Sequence, residues 1–119
     1  MQKPSITISN NPRIPDHLPD KTYLHILQIA RDYIHQGHSL ITHPLSGSIK
    51  PNETPYKTIL ISHTANGLDL ASLEIIENSL AAYHHFAAIG LPDFSSYPPH
   101  TLAEFMEIDK NLIRRYDQS

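Results

Sequence analysis

The densest run of chemistry-bearing side chains in this 119-residue chain lies between His43 and Lys57. Ser46, Gly47 and Ser48 offer two hydroxyls and backbone N–H groups around a flexible glycine. Lys50 and Lys57 add positive charge, His43 and Glu53 are groups that transfer protons, and Asn52 and Thr54 both donate and accept hydrogen bonds. Such a set suits an oxygen anion, either a carboxylate or a phosphate. A catalytic use of the same run is a second reading. His43 would be the general base, Ser46 or Ser48 the nucleophile or positioning hydroxyl, and Glu53 a further proton-transfer group, in hydrolase or transferase chemistry. Against both stands the plain reading that Ser, Gly, Pro and Asn make turns and that the charges are solvated.

Named motifs are absent from this run. There is no GxxxxGK[ST] phosphate loop and no GxGxxG, and the run leads into a strand, not a helix. Ser46-Gly47-Ser48 is not a GxSxG elbow, and Ser48 and Lys50 are two apart where the S-x-x-K arrangement needs three. The 9 histidines invite a metal, but their spacing does not support one. Gly37 interrupts the helix between His35 and His38, and His84 and His85 are adjacent and cannot share a helical face. No H-E-x-x-H spacing occurs, so neither a metal site nor a cofactor is expected.

The elements that must position the run follow from periodicity. Ser5-Ile6-Thr7-Ile8-Ser9 alternates polar and apolar residues and predicts a strand with one buried face, ended by Asn10-Asn11-Pro12. Asp20 is expected to cap a helix to about Gln36, with Tyr23, Ile26, Leu27, Ala30, Tyr33 and Ile34 as its apolar stripe. Gly37 then occupies a left-handed C-terminal cap. Ser39–Thr42 predicts a second strand. Lys57–Ser62, with its continuous apolar centre, predicts a third and central one. Asp69 caps a second helix to about Ile89, with Leu70, Leu73, Ile76, Leu80, Tyr83 and Ala87 in its stripe. A capping box at Thr101 and Glu104 opens a third, running to about Tyr116. Its Glu104, Glu107 and Asp109 read as capping or surface carboxylates. Between the last two helices, Phe94 and Tyr97 with Pro98-Pro99 read as a packed linker.

The expected fold class is therefore α/β: one domain over residues 1–119, a small three-stranded open sheet in the order β-α-β-β-α-α, flanked by helices. The long polar loop is 43–57, and the C-terminal helix 101–116 is an appendage. A right-handed crossover makes the first two strands parallel. The Asn10-Asn11 turn and the long loop then emerge together at their carboxyl edge, where ligand sites in open α/β sheets gather. Three prolines in that loop, Pro44, Pro51 and Pro55, stiffen it.

Composition bounds the rest. With no cysteine, the chain has no disulfide scaffold, thiolate metal site or cysteine nucleophile. A formal net charge of -3 argues against a nucleic-acid partner. No apolar stretch reaches the ~20 residues of a membrane span and no secretory signal is visible, so a cytoplasmic location is expected.

The run Gly37-His38-x-Leu40-Ile41-Thr42-His43-Pro44-Leu45-Ser46-Gly47-Ser48-x-Lys50-Pro51-Asn52-Glu53-Thr54-Pro55-Tyr56-Lys57 resembles the GrdX family. Ile8-Ser9-Asn10-Asn11-Pro12 is similar to that family's first strand and Asn-Asn-Pro turn, and Leu68-Asp69-Leu70-x-Ser72-Leu73-x-x-Ile76-Glu77 to its next helix start. The resemblance implies a small accessory protein encoded with glycine, sarcosine or betaine reductase components of amino-acid fermentation. It attaches no biochemical activity. The positions it carries over are His43, Ser46, Gly47, Ser48, Lys50, Asn52, Glu53, Thr54 and Lys57, with Asn10 and Asn11 as the facing turn. Three expectations follow: binding of a small anion by these residues, the catalytic use given above, and an interaction module docking on a reductase subunit or on a second copy of the chain.

Overall fold

The computed structural model describes residues 5–45 and 50–117, with side chains as far as Arg114. The order of elements is β1 (Ser5–Ser9), α1 (Tyr23–His35), β2 (Thr58–Ser62), α2 (Leu70–Ile89) and α3 (Pro99–Asp117), with one 3-10 turn at Phe94–Ser96 before α3.

The sheet has two strands where three were expected. β1 runs antiparallel to β2, with Ile8 opposite Ile59 and Ser5 opposite Ser62. The segment 39–42 lies along the other edge of β2, but it makes only a single bridge, Leu40 to Ile61, also antiparallel. Ile61 is thus flanked by Ile6 and Leu40, and β2 is central in the sense its apolar run predicts. The physical reason for the missing strand is local. The Thr42 hydroxyl accepts from the Leu60 N–H, so a side chain stands where a ladder carbonyl would. The Leu40 N–H points away from β2 in this bridge and donates to the Ser72 hydroxyl at the start of α2. Because β1 and segment 39–42 both oppose β2, they run in the same direction. Their carboxyl ends therefore meet at the start of β2.

Alternation along β1 and β2 separates two faces. Ile8, Ile59 and Ile61 point to α1 and α2 and join the main core with Ile26, Leu27, Ala30, Ile34, Ile76 and Leu80. The α1 stripe is the predicted one. Its cap is not: Thr22 rather than Asp20 accepts from the N–H of His25, and the His25 ring accepts from the Thr22 N–H in a reciprocal box. Asp69 caps α2 as expected. Leu70 departs from its predicted stripe and is 70% exposed. Gly37 takes φ +106°, as the left-handed cap requires.

The second face of the sheet carries Ser5, Thr7, Ser9, Thr58 and Leu60, and α3 covers it at the Ser9–Thr58 end. Ile14, Leu60 and Ile113 form a small second core there. α3 begins two residues before the predicted capping box. Pro99 opens it, and the Pro98 carbonyl accepts from the N–H groups of Thr101 and Leu102. α3, expected as an appendage, is tied to the sheet through buried hydrogen bonds described below.

Candidate functional site

Two neighbouring asparagines bring the loops together at this edge. The Asn10 side chain accepts from the Lys57 N–H at 2.8 Å and donates to the carbonyls of Pro55 (2.9 Å) and Lys21 (3.1 Å). The Asn11 side chain donates to the Met106 carbonyl at 2.8 Å and to the Asp109 carboxylate at 2.9 Å, and accepts from the Arg13 N–H. Asn10 locks the turn after β1 to the loop before β2, and Asn11 locks it to α3. With every polar atom of both side chains bonded to a protein partner, these residues hold the site together.

Asp109 is the other half of that lock, and it corrects the reading of α3. The residue is buried. One carboxylate oxygen accepts from the Thr58 N–H at 3.1 Å, and the other from the Thr58 hydroxyl at 2.6 Å and from Asn11. The Ser9 hydroxyl lies 2.7 Å from that of Thr58 and also accepts from the Asn11 N–H. Glu107, by contrast, is at the surface and pairs with Arg13.

Lys57 stands beside this network, one residue before β2. It is only 6% exposed. Its ammonium donates to the Pro44 carbonyl and sits 5.5 Å from the centre of the Tyr23 ring. Burial holds its pKa below that of an ordinary lysine, and the nearby Asp109 charge works in the opposite direction. Tyr23 is also buried, stacked on Tyr83 with ring centres 5.5 Å apart. Burial, with the Asp109 charge second, raises its phenol above the ordinary value.

Lys57, Asp109, Tyr23, Thr54 and Tyr56 line one pocket, closed on the α3 side by Phe105, Ile108 and Leu112. It is a partly open cleft with about 290 Å³ of empty space, some of it continuous with solvent. Its closed part has room for about one water-sized guest, so a carboxylate or phosphate enters only as the lining side chains give way. Lysine carries three N–H donors, and among the described residues one protein acceptor is recorded for Lys57.

The other predicted residues make mainly local contacts. His43 is exposed and its ring accepts from the Leu45 N–H at 3.1 Å, a local turn contact. Lys50 is exposed, and its N–H donates to the Glu53 carboxylate at 2.7 Å, closing a turn. Lys50 and Glu53 do not line the pocket around Lys57. Asn52 is half-buried, with its side-chain oxygen shielded and without a partner among the described residues. Thr54 is buried, and its hydroxyl accepts from the Tyr56 N–H. Ser46, Gly47 and Ser48 lie outside the described residues. Among those described, no group of three potential metal ligands occurs.

Sequence reasoning found Lys57 and Thr54 and missed Tyr23 and Asp109. The signal for Asp109 was present: it stands four residues after Phe105 and four before Ile113, on the apolar stripe of α3, where a carboxylate must be buried or bonded.

The family model described as GrdX-like protein matches residues 6–116, nearly the whole chain. The chain belongs to the GrdX-like family. That match runs through both the Asn10-Asn11 turn and α3, so the two sides of the pocket fall within the family's own span. No curated protein and no solved structure shows significant similarity to the chain. Among the described residues no helix is long and apolar enough to cross a membrane.

Proposed function

We propose that this GrdX-like chain is an accessory protein that binds a small anion, a carboxylate or a phosphate, in the pocket around Lys57. The observation that carries the reading is the buried ammonium itself. A charged amine in a low-dielectric site is costly unless it is compensated, and the compensation here is one neutral carbonyl, an aromatic face and the nearby Asp109 carboxylate. Asp109 lines the same pocket but spends its charge on three donors from Thr58 and Asn11. An oxygen anion entering the pocket would complete the Lys57 shell and take further hydrogen bonds from the Thr54, Tyr56 and Tyr23 hydroxyls. A setting beside an amino-acid reductase is part of the same proposal and rests on the family resemblance. The geometry favours binding over the alternative of hydrolase or transferase chemistry, because the His43 ring is exposed and engaged in its own turn.

The experiment is a thermal-shift and calorimetric screen of acetate, phosphate, acetyl phosphate, glycine and betaine. A ligand at ten times its Kd stabilises by about 1.4 kcal/mol, which such a screen resolves. The expected result is saturable binding of at least one anion, lost in Lys57→Met and kept in Lys50→Ala. Indifference of the wild-type chain to every anion would overturn the proposal.

A further inference from the structure

The second face of the sheet holds a groove that the Lys57 pocket does not use. Among the described residues, α3 covers the Ser9–Thr58 end of that face and leaves the Ser5–Thr7 end open. Ser5 and Thr7 are two apart on β1, so both hydroxyls point to the same side, and both residues are exposed. Across from them, Lys110 and Arg114 stand one helical turn apart on α3 and line the same space, with Arg13 at the third side. The groove is open to solvent. Its lining includes Ile14 and Ile113, both nearly buried, from the small second core.

The charge balance of this lining is unusual for a chain with net charge -3. Three of its cationic residues converge here, and Asp16 is the one carboxylate among the lining residues. Asp16 adopts φ +60°, the one left-handed non-glycine residue among those described, in the turn that forms the rim. Arg13 shares its charge with Glu107, whereas no ion pair is recorded for Lys110 or Arg114 among the described residues. Their position near the C-terminal end of α3 offers a plain alternative, in which they only offset the negative end of the helix dipole. That role needs neither the facing hydroxyls of Ser5 and Thr7 nor the apolar floor.

We propose that this groove binds a phosphomonoester with an apolar or aromatic body. Lys110 and Arg114 would hold the dianionic phosphoryl group, the Ser5 and Thr7 hydroxyls would donate to its remaining oxygens, and the Ile14–Ile113 floor would carry the body. The site is separate from Lys57, so it stands or falls independently of the function proposed above.

The test is a titration of the ¹⁵N-labelled full chain with inorganic phosphate and with adenosine monophosphate, read by amide chemical shifts. The expected result is saturable shifts at Ser5, Thr7, Lys110 and Arg114, with the nucleotide binding more tightly than phosphate alone. The double variant Lys110→Ala/Arg114→Ala should weaken nucleotide binding at least tenfold with its cooperative unfolding intact, and Lys57→Met should leave that binding unchanged. Three results would overturn the proposal: no saturable shift with either probe at millimolar concentration, shifts confined to the Lys57 pocket, or a double variant that loses thermal stability while binding as the wild type does. The last would assign the two cations to the helix end alone.

Discussion

Replacing Asp109 with alanine should detach α3 from the sheet. The buried carboxylate takes three hydrogen bonds, from the Thr58 N–H, the Thr58 hydroxyl and the Asn11 amide, at 3.1, 2.6 and 2.9 Å. Bonds to a charged acceptor contribute about 1.5–3 kcal/mol each, but these share one group and do not add. Removing the acceptor also leaves the Thr58 N–H at the head of the central strand without its partner. The adjoining pocket lets water reach part of the gap, which caps the loss. We expect Asp109→Ala to cost about 3–5 kcal/mol, against a total of about 5–15 kcal/mol for a domain of this kind. For a chain of this length that lowers Tm by roughly 10–20 °C. Asp109→Asn keeps an oxygen for the Thr58 N–H but turns an amide toward the Asn11 amide. It should cost about 1–2 kcal/mol. Urea unfolding followed by circular dichroism measures both, and hydrogen exchange on α3 shows where stability is lost. An Asp109→Ala chain within about 0.5 kcal/mol of wild type, with α3 amides still protected, would refute the claim that this carboxylate anchors the helix.

Three further outcomes are expected. Lys57→Met removes a buried ammonium and should be neutral or stabilising near neutral pH. Because the folded-state pKa of Lys57 is lowered from 10.5, the unfolded chain binds more protons between the two values. The wild type should therefore gain on Lys57→Met as pH rises into that window, in denaturant titrations at several pH values. Tyr23 has the opposite sign: its folded pKa is raised above the ordinary 10.0, so stability held below pH 10 is lost above it as the unfolded phenol ionises. Tyr23→Phe should show a shallower alkaline decline in the same titrations. Gly37→Ala places a Cβ 3.0 Å from the Gly67 amide nitrogen and 3.3 Å from the Ala65 Cβ at φ +106°. It should destabilise by about 1–3 kcal/mol, visible as a lower Tm.

Much of this architecture is legible in the residues themselves. The Ile26–Leu27–Ala30–Ile34 stripe fixes the buried face of α1, and the unbroken Ile59–Leu60–Ile61 run marks a strand buried on both faces. The Asp69 cap and the left-handed Gly37 follow from side-chain chemistry and the lack of a Cβ. What local pattern cannot convey is competition for hydrogen bonds between distant segments. Leu40-Ile41 has strand composition, yet the Thr42 hydroxyl takes the Leu60 N–H that a longer ladder would give to a carbonyl. Asp20 and Thr22 are both cap formers, and His25 three residues on selects Thr22 by completing the box. The site divides in the same way. Lys57 and the Asn10-Asn11 turn stand out because they sit at strand ends, but Asn10 and Asn11 turn out to be braces. His43, Lys50 and Glu53 spend their contacts on local turns, His43 with Leu45 and Lys50 with Glu53, and none of the three lines the Lys57 pocket. Asp109 enters the site from about 50 residues away in sequence, and only its place on an apolar stripe hints at that.

The most direct test of anion binding at Lys57 is a crystal structure of the full chain grown with acetate, phosphate or acetyl phosphate at saturating concentration. The predicted result is an anion oxygen about 2.7–2.9 Å from the Lys57 Nζ, inside the pocket between Tyr23 and α3. The pocket empty in every such crystal, or an anion bound only elsewhere on the molecule, would contradict it.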